Sequence, residues 1–179
     1  MKNDVFITGT SCYFPNKPVS NEDMEDFLGL ITGKHSRVKP VILKQNGIKQ
    51  RYYALTKEQK ITHTNAEMAV NSILQLLKNS DISNSEIELL SCATSSPDQM
   101  LPSHASMVHG LLKNKPLEIF SASGICLSCL QAFKTAFWGV LSGEKRNAIC
   151  STSELTSATL LSKNYDIEYE KCADLGVQP

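Results

Sequence analysis

The sequence predicts an α/β fold built in layers, a mainly parallel sheet covered by helices, and three observations carry that prediction. Ile87 to Thr94 is apolar at nearly every position, as a strand buried on both faces must be. Strand-like and helical patterns alternate along the chain, the order expected of helices crossing over between neighbouring strands. The short apolar run Leu117 to Ser121 gives way to Ser121-Ala122-Ser123-Gly124 and then to a helical pattern, so it reads as strand, tight turn and helix.

Taken in order, Val5 to Tyr13 is a β-branched and aromatic run closed by Pro15-Asn16-Lys17-Pro18, a first strand and a turn. Ser20 or Asn21 is placed to cap a short acidic helix through Leu28. Gly29 to Asn46 has little periodicity and reads as an irregular excursion with room for a helical turn. Gly47 to Tyr53 is a turn leading into an extended segment. Thr64-Asn65-Ala66-Glu67 matches a capping box, and Ala66, Ala69, Val70, Ile73, Leu76 and Leu77 follow at helical spacing as far as Asn79. After the polar turn Ser83 to Glu86 and the buried strand comes the loop Ser95 to Met100. Pro102-Ser103 then starts a helix whose buried stripe is Ala105, Val108, Leu111 and Leu112. In the helix after Cys126, the apolar face Cys129, Ala132, Phe133, Ala136 and Val140 is almost free of charge, which predicts burial on most sides, and Gly143 ends it. Ala148 to Ser151 is a further strand, and Ser153-Glu154 opens another turn or helix. The tail from Ser162 to Pro179 has too little apolar pattern to place.

Composition narrows the function classes. At 179 residues, with 41% apolar and 20% charged side chains, the chain suits one well-packed domain and neither disorder nor membrane residence. No apolar run approaches the roughly 20 residues of a spanning helix, and the N-terminus lacks the apolar core of a leader peptide, so a cytoplasmic protein is expected. The 18 basic side chains are matched by 18 acidic ones, which gives no footprint for nucleic acid. Six cysteines are too sparse for a disulfide scaffold and mostly lie within strand or helix patterns, so most are expected to be buried, reduced thiols.

Cys126 is the exception. It falls where the helix begins, and there unpaired N–H groups and the positive end of the helix dipole favour an anion, hence a thiolate nucleophile. The bland alternative is an inert buried thiol. Cys126-Leu127-Ser128-Cys129 also fits a redox pair or half a zinc site, but the motif does not follow the first strand and no second ligand pair is present.

In sequence order, Ile7-Thr8-Gly9-Thr10 with Pro15, Gly47-Ile48 with Arg51, Ala93-Thr94-Ser95-Ser96-Pro97-Asp98, Leu101-Pro102-Ser103, and Cys126 with Ala132 form a set of landmarks. With these, residues 3 to 160 or so resemble the N-terminal half of a β-ketoacyl-acyl carrier protein synthase III, a thiolase-fold condensing enzyme. The resemblance implies one of two pseudo-repeats of a thiolase-like layered fold, with residues 1–161 as the nucleophile domain and 162–179 as a tail or connector. It implies that Cys126 takes an acyl group from a thioester and that a malonyl-type thioester then condenses with it after losing carbon dioxide. Arg51, Met100, Leu101 and Glu154 are the implied substrate-binding residues, Leu101 reaching across a dimer interface into the partner's acyl tunnel. Arg51 as a solvated charge, Leu101 as a core leucine and Glu154 as a helix start are the structural alternatives. No cofactor or metal is implied beyond acyl-coenzyme A or acyl carrier protein as substrates, and a homodimer joined edge to edge at Ala148 to Ser151 is expected.

The sequence departs from the family pattern in places. The family's His and Asn, which assist condensation, come from its second half, and His35, His63, His104 and His109 match neither; all four are expected as surface or helix-face residues. The 179 residues are thus expected to hold half an active site. Val41 and Gln45 stand where relatives primed by coenzyme A have Trp and Arg, which tilts the donor toward a carrier protein. Ile125, Ser128 and Cys129 replace the family's residues around the nucleophile. A non-catalytic half-subunit that pairs with a complementary chain, or an ester- or amide-forming acyltransferase on the same fold, are the alternative functions.

Overall fold

The structure is a computed structural model and describes residues 4–174. The end of the expected 162–179 tail and the first residues of the chain's N-terminus lie outside the described residues. The elements are β1 (Val19–Ser20), α1 (Met24–Leu28), α2 (Lys39–Asn46), β2 (Gln50–Arg51), α3 (Asn65–Lys78), β3 (Leu89–Ala93), α4 (His104–Leu112), β4 (Glu118–Ala122), α5 (Ser128–Leu141), β5 (Ala148–Thr152) and α6 (Asp166–Asp174). They fall into two compact units, residues 4–14 with 64–155, and residues 15–63 with 156–174.

The first unit holds the sheet, three parallel strands in the order β4-β3-β5. Leu89 pairs with Glu118 on one side and Ala148 on the other, and the register runs unbroken to Ala93, opposite Ala122 and Thr152. All five residues of β3 are buried, as the two-faced apolar pattern predicts. Leu90 and Cys92, with Ile149 of β5, pack against Ala66, Ala69, Val70 and Ile73 of α3 and against Ala105, Val108 and Leu112 of α4. Burying each large aliphatic side chain in such a layer contributes about 1.5–3 kcal/mol. The other face carries α5, where Ala93 and Ala122 meet Ala132.

α3 starts where the capping box places it. The Thr64 hydroxyl accepts from the Glu67 N–H at 3.2 Å, and the Glu67 carboxylate accepts from the Thr64 N–H at 2.8 Å. Asp98, from the loop after β3, accepts from the N–H groups of Asn65 and Ala66 at 2.7 and 2.9 Å. A second carboxylate at the positive end of the helix adds to the favourable charge there.

Several expectations are corrected. Val5 to Tyr13 is not a strand: it forms no ladder, and Phe6 and Ile7 are 76% and 70% exposed. The segment pairs with neither outer edge of the sheet, and β-branched residues form a strand only against a partner's backbone. Leu111 points outward from α4 while its neighbours Val108 and Leu112 are buried. α5 is not buried on most sides. Its contact strip is Ser128, Ala132 and Ala136, small residues one turn apart that let the helix lie close to the sheet, and the Ser91 hydroxyl donates to the Ala132 carbonyl at 2.8 Å. Leu130, Phe133, Phe137 and Trp138 remain exposed. Residues 153–156 are irregular, and of the expected turn or helix the structure holds a turn, at residues 157–160.

In the second unit β1 and β2 pair antiparallel, Val19 opposite Arg51. Val19, Tyr53, Leu55 and Leu161 form its core, with Phe27 and Leu28 packed on it. Asn16 turns the chain with φ of 59°, and its amide donates to the Tyr53 carbonyl at 2.8 Å. Ser20 sits one turn ahead of α1, bonded to Asp23 at that helix's start. The stretch expected to be irregular contains a 3-10 turn at Ile31–Gly33 and all of α2. α2 has no buried residue, so no apolar period marks it; Pro40 in its first turn and Gly47 in the left-handed region just after it are its signals. Of the unplaced tail, Ser162–Asn164 is a 3-10 turn and α6 follows.

Candidate active site

Parallel strands deliver their loops to one end of a sheet, the usual place for chemistry in open α/β folds. Here β3, β4 and β5 lead into residues 94–103, 123–127 and 153–156. The ladder runs one residue further than the strands, since the Thr94 N–H donates to the Ala122 carbonyl at 3.1 Å and the Ser153 N–H to the Ala93 carbonyl at 3.2 Å. Cys126, Met100, Leu101 and Glu154 therefore all belong to the loops at the carboxyl end of one sheet. Arg51 belongs to the other unit, where its guanidinium donates to Asn21 Oδ1 at 2.6 Å and lies 3.0 Å from Met24 Sδ.

Cys126 is exposed and lies in a 3-10 turn, Ile125–Leu127, two residues ahead of α5 rather than inside its first turn. Ile125 before it has φ of 49°, a left-handed conformation that costs a β-branched residue about 1–3 kcal/mol. The Ser128 hydroxyl donates to the Ile125 carbonyl at 2.8 Å, and the Cys129 thiol to the Cys126 carbonyl at 3.2 Å. These bonds join the turn to the start of α5. The helix start has no side-chain cap.

The expectation that most cysteines are buried is corrected: among the described residues Cys92 alone is buried, and Cys129, Cys150 and Cys172 are half-buried. Burial pushes Cys92 up to about 12 and Cys150 up to about 11, so both stay protonated near neutrality. Cys126 and Cys12 are the exposed cysteines among the described residues, and Cys12 lies in the irregular 4–14 segment. Exposure, a strained turn and a strand's carboxyl end converge on Cys126.

Met100 and Leu101 stand at the tip of the β3–α4 loop, 90% and 84% exposed. That excludes Leu101 as a core residue of this chain. Glu154 neither begins a helix nor offers its oxygens freely: one accepts from the Ser95 N–H at 2.6 Å, the other from the Ser96 hydroxyl at 2.6 Å. His104 lies on a helix, one of the two places expected for the histidines, but on its buried face. It is 3% exposed in the first turn of α4, its Nε2 is 3.1 Å from Ser153 Oγ, and burial holds it below its ordinary range against the pull of Asp98 and Glu154. Its place directly after the Ser103 cap, beside the buried Ala105, was the available signal. His35, His63 and His109 lie toward the surface, bonded to Glu25, Thr62 and the Lys115 carbonyl. Asn65, which no sequence argument singled out, is fully buried between Thr94 and Ser96.

Among the described residues no group of three or more His, Cys, Asp or Glu side chains is placed to hold a metal ion. No described helix is long and apolar enough to cross a membrane.

The sheet order, the helices on both faces and the thiol at the carboxyl end of a strand define a thiolase-like fold. Solved structures bear this out. 3-Oxoacyl-[acyl-carrier-protein] synthase III from Aquifex aeolicus superposes with a TM-score of 0.69 at 28% identity, covering 84% of this chain and 45% of that one. The priming β-ketosynthase of the R1128 polyketide pathway shares the fold with a TM-score of 0.70 at 20% identity, over 84% of this chain and 42% of its own. The chain is homologous to curated proteins named beta-ketoacyl-[acyl-carrier-protein] synthase III. That of Clostridium acetobutylicum is 29% identical over 158 residues, 88% of this chain, and that of Ehrlichia canis is 30% identical over 154 residues, 86% of this chain. The chain spans about half the length of these curated relatives, 45% and 44%. No protein-family model matches it.

Proposed function

We propose that the protein works as an acyltransferase of the β-ketoacyl-acyl carrier protein synthase III type. The observation that carries this reading is the exposed Cys126, on a strained turn at the carboxyl end of a parallel strand, in a homologue of these enzymes. The Cys126 thiolate attacks the carbonyl carbon of an acyl thioester from a carrier protein or coenzyme A; the carrier thiol leaves and takes up a proton, and a new thioester forms on Cys126. A malonyl thioester then loses carbon dioxide, and its carbanion attacks the stored acyl group, releasing Cys126. The His and Asn that the resemblance implies for this second step match no position in these 179 residues. Residues 1–161 act as the nucleophile domain with 162–179 as a connector, Met100 and Leu101 meet the acyl chain, and a sheet edge joins two copies in a homodimer. β4 and β5 each leave an outer edge without a ladder partner among the described residues.

The test is product analysis with acyl and malonyl thioesters. The 179-residue chain alone is expected to release no β-ketoacyl product, and robust condensation would overturn the division of labour. One observation favours a second reading, a half-subunit paired with a complementary chain: the exposed Leu130, Phe133, Phe137 and Trp138 of α5 form a large apolar face. A monodisperse monomer in light scattering would count against it.

A further inference from the structure

The bonds around Glu154 belong to a polar cluster at the carboxyl end of the sheet, in which Asn65 and Thr94 are buried while Glu154, Ser95 and Asp98 are exposed. Besides its bonds to Ser95 and Ser96, Glu154 has the Thr94 hydroxyl at 3.5 Å. The Ser96 hydroxyl accepts in turn from the Leu155 N–H at 2.9 Å. From the opposite side the Asn65 amide donates to Thr94 Oγ1 and to the Ser96 carbonyl, both at 2.7 Å. Asp98 closes the cluster on the first N–H groups of α3. The first half of the β3–α4 loop is thus gripped by α3 and by the segment after β5, and Ser103 fixes its far end as the cap of α4, accepting from the Ser106 N–H. Between these anchors only residues 99–102 project, and they present Met100 and Leu101.

We propose that Glu154, together with Asn65, is a positioning residue that fixes the β3–α4 loop and so sets the acyl-chain preference at Cys126, acting through Met100 and Leu101 without touching substrate. The inference rests on the reading of Cys126 as acyl acceptor. A carboxylate accepting an N–H and an O–H at 2.6 Å makes charge-assisted bonds, and a carboxamide offers one acceptor where the loop presents two donors.

The experiment compares the full chain with E154Q, E154D and N65A. Pantetheine thioesters of acetyl, hexanoyl and dodecanoyl groups are the probes, the rate of Cys126 adduct formation is followed by intact mass, and hydrogen exchange is followed across residues 95–103. The ratio of dodecanoyl to acetyl rates is expected to change about tenfold in E154Q, the loss of one charge-assisted bond, and in N65A, the loss of two neutral ones, and to return to within about threefold of wild type in E154D. The loop amides are expected to lose protection in E154Q. An unchanged ratio in E154Q with unchanged loop protection overturns the proposal, as does a changed ratio that E154D fails to restore. Should wild type form no adduct, the reading of Cys126 fails and the chain-preference part falls with it. Exchange then decides the positioning part separately: lost protection in E154Q upholds it, and unchanged protection overturns it.

Discussion

His104 Nε2 lies 3.1 Å from Ser153 Oγ, so a buried imidazole ties the start of α4 to the residue just past β5. Burial favours the neutral ring, and its folded pKa is depressed below the unfolded value. A histidine of this kind takes up its proton in the unfolded chain first. Its contribution is intact above about pH 6.5 and is lost as pH falls from there toward the folded pKa, at a slope of at most about 1.4 kcal/mol per pH unit. The depressed carboxylates Glu25, Asp26, Glu58 and Glu86 act lower, their contributions being lost only below about pH 4.5. Urea unfolding followed by the single tryptophan, Trp138 in the same unit, should show stability falling as pH drops below about 6.5 in wild type and flat there in His104→Gln. An equal slope in both would mean that the ring is not held neutral.

Ile125 gives a test of the turn itself. Its side chain is exposed, so replacing it removes little packing, while glycine adopts φ of 49° without strain. Ile125→Gly should raise unfolding stability by about 1 kcal/mol, the relief of strain exceeding the entropy cost. A loss of more than about 1 kcal/mol in thermal or urea unfolding would contradict the left-handed assignment beside Cys126.

Asp98 supplies a second cap to α3. Asp98→Ala leaves the capping box in place but removes two bonds and a favourable charge, at a cost of about 1–2 kcal/mol. Circular dichroism melting should show the loss, and Asp98→Asn should recover part of it through its remaining acceptor. No change in either variant would mean that Thr64 and Glu67 suffice alone.

Wherever one strong local rule governed a segment, the sequence was readable. The capping box located α3 to the residue, and the two-faced apolar run located β3. Elsewhere tertiary context decided. Val5 to Tyr13 has strand composition but no ladder, a fact about partner backbones that composition does not contain. α2 is a helix with no buried residue, so the period that signals helices had nothing to act on. In α5 the apolar stripe was visible, but which part of it would be covered depended on how closely small residues let the sheet approach. At the proposed site, the strand, turn and helix that carry Cys126 were legible in the sequence. The bonds of Glu154 and the burial of His104 and Asn65 arise from segments far apart in sequence, and no local pattern encodes them.

The most direct test is intact mass after incubation with an acyl pantetheine thioester, in wild type, Cys126→Ala and Cys129→Ala. A single acyl adduct is expected on wild type and on Cys129→Ala, and none on Cys126→Ala. An adduct that persists in Cys126→Ala, or a wild-type chain that stays unmodified, would contradict Cys126 as the acyl acceptor.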